Sequence, residues 1–407
     1  MTKIIIVGGG ASGLTAGIMA ARKGAKVIVL EKDKTIGKKI LVTGNGRCNY
    51  YNEDMDTKHY NSSNIELLPQ IINQKNNKQV LDFFTSIGVV PRIKDGYYYP
   101  YSNQAISILN ALLLENKKLG VTIVNHSIVD SIYKEKDKFI IKTQNSSYAA
   151  DKLILASGTY SYYDFDTVNS YTLAQSLNHS IIKPLPALVQ LRIDNPFTKK
   201  WTGVRVYSTI KLYQDDIFIK EEQGELMLTN YGISGICAMQ LSGIIARGLD
   251  EGKKEYLVIN FVPKLATNIK DMIAFLDNYD NLCSNRKVIE ILDNILNYKL
   301  GNIIADDLKN IYYKDLTDKN KHDLATRLVE FKVEISATNS FKDSQVTSGG
   351  VPLNEINLQT MESLKTKDLY ITGELLDVNG DCGGYNLGFA WTTGIIAGKN
   401  SAGDTND

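Results

Sequence analysis

The spacing of apolar positions changes several times along the chain, and each change marks an element. Residues 3–7, KIIIV, form a continuous β-branched run of the kind found in a buried parallel strand. LTAGIMAARKG then has helical spacing, with small residues at Ala16, Gly17 and Ala20 and a stop at Gly24. KVIVL is a second strand, and Glu31 follows it. Near the other end, Leu369 to Thr372 reads as a strand and YNLGFAWTTGIIAG as a helix rich in small residues. Between these ends, LVQLRI, YSTIKLY, DDIFIKEE and ELMLTN alternate or cluster as antiparallel strands. NIKDMIAFLDNYD and NRKVIEILDNILNYKLGNIIADDLKNIYY follow as amphipathic helices. The pattern predicts an α/β core made of residues 1–187 and 336–407. An inserted domain, 188–335, has strands over about 188–262 and helices over about 263–335.

The first strand and helix are joined by GGGASG, a GxGxxG turn at Gly8, Gly10 and Gly13. In such a turn the first glycine permits the sharp bend and the second lets backbone approach a pyrophosphate. The third lets helix and strand pack closely. The helix N-terminus presents free amides and the positive end of its dipole to phosphate. Glu31 falls where a carboxylate accepts hydrogen bonds from an adenosine ribose. An acid there, rather than a base, points to FAD or NAD rather than NADP.

The C-terminal block separates those two. A strand ending in Gly373–Glu374 and a helix entered through Gly383–Gly384 suit a cofactor longer than one nucleotide. Glu374 can bind ribityl hydroxyls, and the helix N-terminus can face the flavin edge that becomes negative on reduction. NAD has no ribityl chain, so the two ends of the chain favour FAD.

IGKKILVTGNGRCN raises a separate question, because it sets Lys38, Lys39 and Arg47 beside Gly44 and Gly46. Such a loop suits an anion, with Arg47 placed for charge-assisted bonds to phosphate. Cys48 has two readings: a thiol of lowered pKa beside the flavin, or a small apolar packing residue. Tyrosines cluster at Tyr97, Tyr98, Tyr99 and Tyr101 and at Tyr160, Tyr162 and Tyr163. They form either an aromatic wall for a flat apolar substrate or the packing between subdomains.

Composition narrows the partners. The 407 residues carry 46 basic and 45 acidic side chains, a net charge of +1, which with the lack of a basic tail counts against a nucleic-acid partner. The four cysteines form no CxxC pair and the histidines show no metal spacing, so a reducing cytoplasm is expected and no metal site. No stretch has the length of a membrane span, and nothing in the sequence sets an oligomeric state.

Four blocks carry a family resemblance: IIIVGGGASGLTAGIMAARKGAKVIVLEK, GKKILVTGNGRCNYYN, QVTSGGVPLNEINLQTMES and LYITGELLDVNGDCGGYNLGFAWTTGIIAG. With them the sequence resembles the BaiN-like family of bacterial FAD-dependent oxidoreductases. The resemblance implies a Rossmann-like FAD-binding domain of the two-dinucleotide-binding-domain flavoprotein type, with an inserted β-barrel and a helical region. It places Gly8, Gly10, Ala11, Ser12, Gly13, Glu31 and Lys32 along the ADP half of FAD, with backbone near Val129 at the adenine. Lys38, Gly46, Arg47 and Cys48 approach the pyrophosphate or flavin. Gly373, Glu374, Gly384, Asn386 and Leu387 hold the ribityl and flavin end. The reaction implied is NAD(P)H-driven reduction of a conjugated carbon–carbon double bond in a steroid-like or other apolar enone, with NAD(P)H a transient reductant at a small-molecule site. An amine oxidase using oxygen, an RNA-modifying flavoprotein and a regulatory flavoprotein stay open as alternatives. The sequence departs from the family at LILASGTYSYYDFDTVNSY and at Gly388–Phe389.

Overall fold

The computed structural model describes residues 1–162, 169–282 and 285–403. Its contacts divide the chain into two units, Met1–Pro184 with Val346–Asp407, and Leu185–Gln345.

The first unit is built on a seven-stranded sheet. β1 (Lys3–Val7) lies between β2 (Lys26–Leu30) and the strand Lys152–Leu155, parallel to both. Thr122–Val124 extends the sheet beyond β2, and Leu369–Ile371 lies against Lys152–Leu155. Ile4, Ile5, Ile6, Leu153, Ile154 and Leu155 are fully buried, as a strand covered on both faces requires. α1 (Ala11–Arg22) packs on the C-terminal helix Tyr385–Ser401, and small residues let the two backbones come close. A Cβ on Gly394 would lie 2.5 Å from the Ser12 carbonyl oxygen, and one on Gly398 2.5 Å from that of Ala16. The N-terminal and C-terminal blocks of the sequence thus meet along one helix pair. A three-stranded ribbon of Tyr51–Asn52, Tyr97–Pro100 and Pro91–Lys94 also belongs to this unit.

The second unit contains another seven-stranded sheet, with Arg205–Gln214 and Ile217–Thr229 as its long hairpin. DDIFIKEE and ELMLTN, expected as separate strands, lie on this single strand Ile217–Thr229. Phe331–Glu334 pairs with Glu255–Asn260, and a few residues on Ala337–Thr338 pairs with Leu191–Arg192. One segment therefore joins both ends of the sheet and closes it as a barrel. This pairing keeps the chain in the inserted unit beyond residue 335, as far as Gln345. The long helical stretch expected after residue 285 is broken into Val288–Leu292 and Tyr298–Ala305, each with an apolar side in the core.

Candidate functional site

The β1–α1 turn opens onto a cavity of about 490 Å³. Gly8, Gly10, Glu31, Lys32, Lys38 and Val129 line it, together with Lys39, Ser127, Ser157 and Thr159. Gly8 has φ 107°, a left-handed conformation that favours glycine, and a Cβ there would overlap the Ala156 carbonyl. A Cβ on Gly13 would overlap the Gly8 carbonyl, whereas nothing lies within 4 Å of one on Gly10. Gly10 is thus the glycine with room beside it, as a close approach of ligand to backbone requires. Helix α1 has no side-chain cap, which leaves its first-turn amides, those of Ala11, Ser12 and Gly13, for a ligand. The Ser12 side chain itself is buried, close to Gly373.

Glu31 is held firmly. Oε2 accepts from the Gly9 amide at 2.7 Å and Oε1 from the Asp33 amide at 2.9 Å. Burial pushes its carboxyl above the usual range, while these two amides pull it back. Burial also lowers the Lys32 ammonium. The Val129 carbonyl accepts from Asn169 Nδ2 at 2.7 Å. Ser157 Oγ, at the cavity wall, is buried with no hydrogen-bond partner. An unsatisfied hydroxyl at the mouth of a glycine turn fits an absent polar ligand.

A second region forms where two distant loops meet. Gly44, Asn45, Gly46 and Cys48 all have positive φ, so the GNGRC segment coils back on itself. A Cβ on Gly384 would lie 2.8 Å from the Tyr51 carbonyl and 3.0 Å from Asn49 Oδ1. Asn52 Nδ2 donates to the Gly383 carbonyl at 2.9 Å, and Trp391 Nε1 to that of Tyr50 at 2.9 Å. Gly384 is the N-cap of the helix Tyr385–Ser401, so this junction surrounds that helix's N-terminus. Asn49 Oδ1 is buried and without a partner, a second orphan at the opposite end of the candidate cofactor path. The residues present therefore fit FAD at both ends.

Several expected site residues have other tasks in this structure. Asn386 clamps its own loop, accepting from the Gly380 amide and donating to the Gly380 and Asp381 carbonyls. Leu387 packs against the core. Gly46 and Arg47 are exposed. Cys48 is fully buried, and desolvation pushes its thiol up to about 12, so the reading of a lowered pKa is corrected in favour of packing. The cations in the adjoining sequence do not lower it, because the thiol points into the core.

Gly373 has φ 66°, and Glu374 sits in a polar cluster that sequence spacing does not disclose. Its Oε2 receives Lys39 Nζ at 2.6 Å, and its Oε1 receives Ser161 Oγ at 2.9 Å and the Thr347 amide at 3.1 Å. Thr159 links Ser161 to Thr347. An ionised carboxylate has about four acceptor positions, and three are already filled here. The Lys38 ammonium lies 6.0 Å from the Tyr162 ring.

The tyrosine cluster splits by strand alternation. Tyr98 packs on Tyr50 and Tyr51, at 6.1 and 5.5 Å between ring centres. Tyr97 and Tyr99 point to the opposite face, towards Gly383 and Gly44. Tyr160 packs on Tyr171 at 4.9 Å. Tyr163, and with it residues 163–168 of the departure between Ala156 and Ser170, lies outside the described residues. Among the described residues no group of side chains could hold a metal, and no helix is long and apolar enough to cross a membrane.

Comparison with known proteins agrees with this geometry. The family model for the HI0933-like protein Rossmann domain matches residues 2–400. A 3-dehydro-bile acid delta(4,6)-reductase of Clostridium scindens is 38% identical, over 99% of both chains. A ribosomal RNA dihydrouridine synthase of Escherichia coli is 27% identical, over 98% of both. A flavocytochrome c3 fumarate reductase in its open conformation aligns with 98% of this chain and 78% of its own. With a TM-score of 0.50 and 15% identity, it shows the fold alone.

Proposed function

This chain belongs to the HI0933-like Rossmann family, and from that premise we propose that it is an FAD-dependent reductase of a carbon–carbon double bond conjugated to a carbonyl. The observation that carries the reading is the meeting of Gly44–Asn52 with Gly383–Gly384 at a helix N-terminus, at the other end of the site from a glycine-turn cavity. A bound FAD would supply the two-electron chemistry. Glu31 accepts from the ribose hydroxyls, and Gly10 with the first-turn amides of α1 accommodates the pyrophosphate. The dipole of the helix Tyr385–Ser401 favours negative charge at the flavin end. Lys39 Nζ lies 2.6 Å from Glu374 Oε2 beside the path between them.

The substrate is a small molecule with an enone, and the reductant is NAD(P)H. The delta(4,6) position named for the relative at 38% identity is conjugated to a 3-oxo group in such a molecule, which supports this class. The relatives named as dihydrouridine synthases support a second reading, because the reduced bond of uracil is also conjugated to a carbonyl. Both readings require the same flavin end and differ in what lies over it. Three cysteines without disulfides agree with a cytoplasmic setting.

The test is anaerobic mixing of the FAD-loaded protein with NADH or NADPH while the visible flavin band is followed. Rapid bleaching, and recovery on adding a steroid enone, is the expected result. A flavin that stays oxidised overturns the nicotinamide-driven reading. Recovery with uridine-containing RNA but with no enone assigns the second one.

A further inference from the structure

Residues 54–61 and the loop 379–384 are joined by a short antiparallel ladder. Asn61 pairs with Asn379 and Tyr60 with Gly380, and the Asp381 amide donates to the His59 carbonyl at 2.8 Å. His59 is thereby set beside Asp381, in the loop that leads to Gly384 and the N-terminus of the helix Tyr385–Ser401. Its Nδ1 lies 3.1 Å from Asp381 Oδ2 and its Nε2 3.0 Å from Asp54 Oδ2. The ring stacks on Tyr385, with centres 4.4 Å and planes 23° apart. Tyr385 in turn lies beside Gly383, where a Cβ would be 3.1 Å from its Cε2. One imidazole thus touches two carboxylates and the first side chain of the helix at the flavin end.

Exposure falls in one direction along the three groups. The side chains of Asp54, His59 and Asp381 are 57%, 22% and 10% exposed, so the outer carboxylate meets solvent and the inner one belongs to the glycine loop. On the same segment, Lys58 Nζ lies 2.9 Å from Asp54 Oδ2, and Asp56 accepts from the Lys58 amide. Cys382, next to Asp381, and Tyr97, across Gly383, are further titratable neighbours. Burial raises the phenols of Tyr385 and Tyr60 above the ordinary tyrosine range, so neither exchanges a proton near neutrality. Ionised carboxylates only accept hydrogen bonds, so a doubly protonated ring satisfies both contacts and a neutral ring only one.

The proposed reaction needs a proton at this end. A conjugated double bond takes a hydride at its β-carbon and a proton at its α-carbon. Nicotinamide supplies only the hydride, so solvent supplies one proton per turnover. Reduction also places negative charge at the flavin end, and negative charge favours the charged form of a nearby imidazole. We propose that His59 is the redox-linked proton site of the flavin end. It takes a proton from solvent past Asp54 when electrons enter, and releases it towards Asp381 when the hydride leaves and the α-carbon is protonated. His59 is a positioning residue in this scheme, acting through charge and through Asp381 rather than by contact with substrate.

This inference rests on the proposed function in placing a flavin here, and its test does not use turnover. The FAD-loaded protein is titrated anaerobically against reference dyes at a series of pH values, and the flavin midpoint is read for wild type and His59→Gln. Histidine changes charge between about pH 5 and 8. Within that range the wild-type midpoint should fall with pH more steeply than that of His59→Gln. The added effect on the reduction equilibrium is up to about tenfold per pH unit, or about 30 mV for two electrons. Equal slopes with stoichiometric flavin in both proteins overturn the proposal. If His59→Gln does not hold flavin, Asp54→Asn decides, since it leaves His59, Asp381 and Tyr385 unchanged. The steep region should then move to lower pH, and one that stays in place sinks the idea. A proton-linked midpoint in a protein whose flavin no nicotinamide reduces retains His59 and rejects the reductase. Nicotinamide bleaching with equal slopes does the reverse.

Discussion

Gly8–Gly13 and Gly383–Gly384 both lead into helices, yet a methyl group added at each would meet different surroundings. At the first turn, Gly8 and Gly13 face backbone carbonyls of the fold, and Gly10 faces open space. At the second, Gly383 and Gly384 face Tyr97, Asn52, Asn49 and the Tyr51 backbone, all contributed by segments distant in sequence. The first site is made largely of backbone at the ends of neighbouring parallel strands, β1 and Lys152–Leu155 among them, so its shape follows closely from the sheet. The second is made of side chains from distant loops, so its shape depends on how those loops pack. The cofactor end can be carried over between relatives on the strength of the motif, whereas the substrate end has to be read from each structure.

The comparison can be broken most directly at Gly13. Gly13→Ala should cost about 3 kcal/mol, because its Cβ overlaps a backbone carbonyl that cannot move without shifting β1. Urea denaturation measures this, and a loss no greater than that of Gly10→Ala would refute the distinction. Gly10→Ala should leave stability within about 1 kcal/mol and weaken FAD at least about tenfold, read by fluorescence titration of the apoprotein.

A third measurement asks whether acid acts through either turn. His179 is buried away from both, with Nδ1 2.8 Å from Glu355 and Nε2 2.8 Å from Ser363 Oγ. Ser363 Oγ already accepts the Lys365 and Thr366 amides, so its proton goes to Nε2 and the ring is neutral with Nδ1–H donating to Glu355. Burial holds the His179 pKa below its ordinary 6.5, which outweighs the pull of Glu355. As pH falls through that ordinary value the unfolded chain gains a proton first, so stability falls. The slope is at most about 1.4 kcal/mol per pH unit for this group. Glu355, lowered from its ordinary 4.5, adds a further loss as pH falls through its depressed folded value. Glu31, raised by burial, changes stability in the opposite sense, gaining as pH falls towards its ordinary value. Denaturation at a series of pH values checks the balance, and a rise in stability just below the ordinary histidine value would assign control to the first turn.

The smallest effect expected is at Cys48. With its thiol raised to about 12 and fully buried, it should resist alkylation at neutral pH in the folded protein, while the partly exposed Cys382 reacts. Peptide mapping after brief labelling distinguishes them, and early modification of Cys48 would show that the GNGRC loop opens.

Much of the first site was legible because its physics is local. A β-branched run, three glycines at fixed spacing and an acid closing the next strand imply one backbone path, and Lys3–Val7, Ala11–Arg22 and Lys26–Leu30 follow it. The same holds for the helix Tyr385–Ser401, whose small residues announce close packing without naming the partner. The Cys48 environment was not legible, because adjacency to Lys and Arg in sequence says nothing about which way a thiol points. Nor were the bonds of Glu374 to Lys39 and Thr347, or those of Asn386 to its own loop. The tyrosine run could be seen, but its division into core and rim came from strand pairing.

The sequence by itself thus determined the Rossmann unit, its glycine turn and the presence of an insertion, since each follows from periodicity or from steric limits within a few residues. Only the tertiary structure decided that Tyr97 and Tyr99 face the two glycine loops and that Glu374 is engaged by Lys39. Those contacts join segments brought together by burial of the core and by strand register, and no local spacing encodes them.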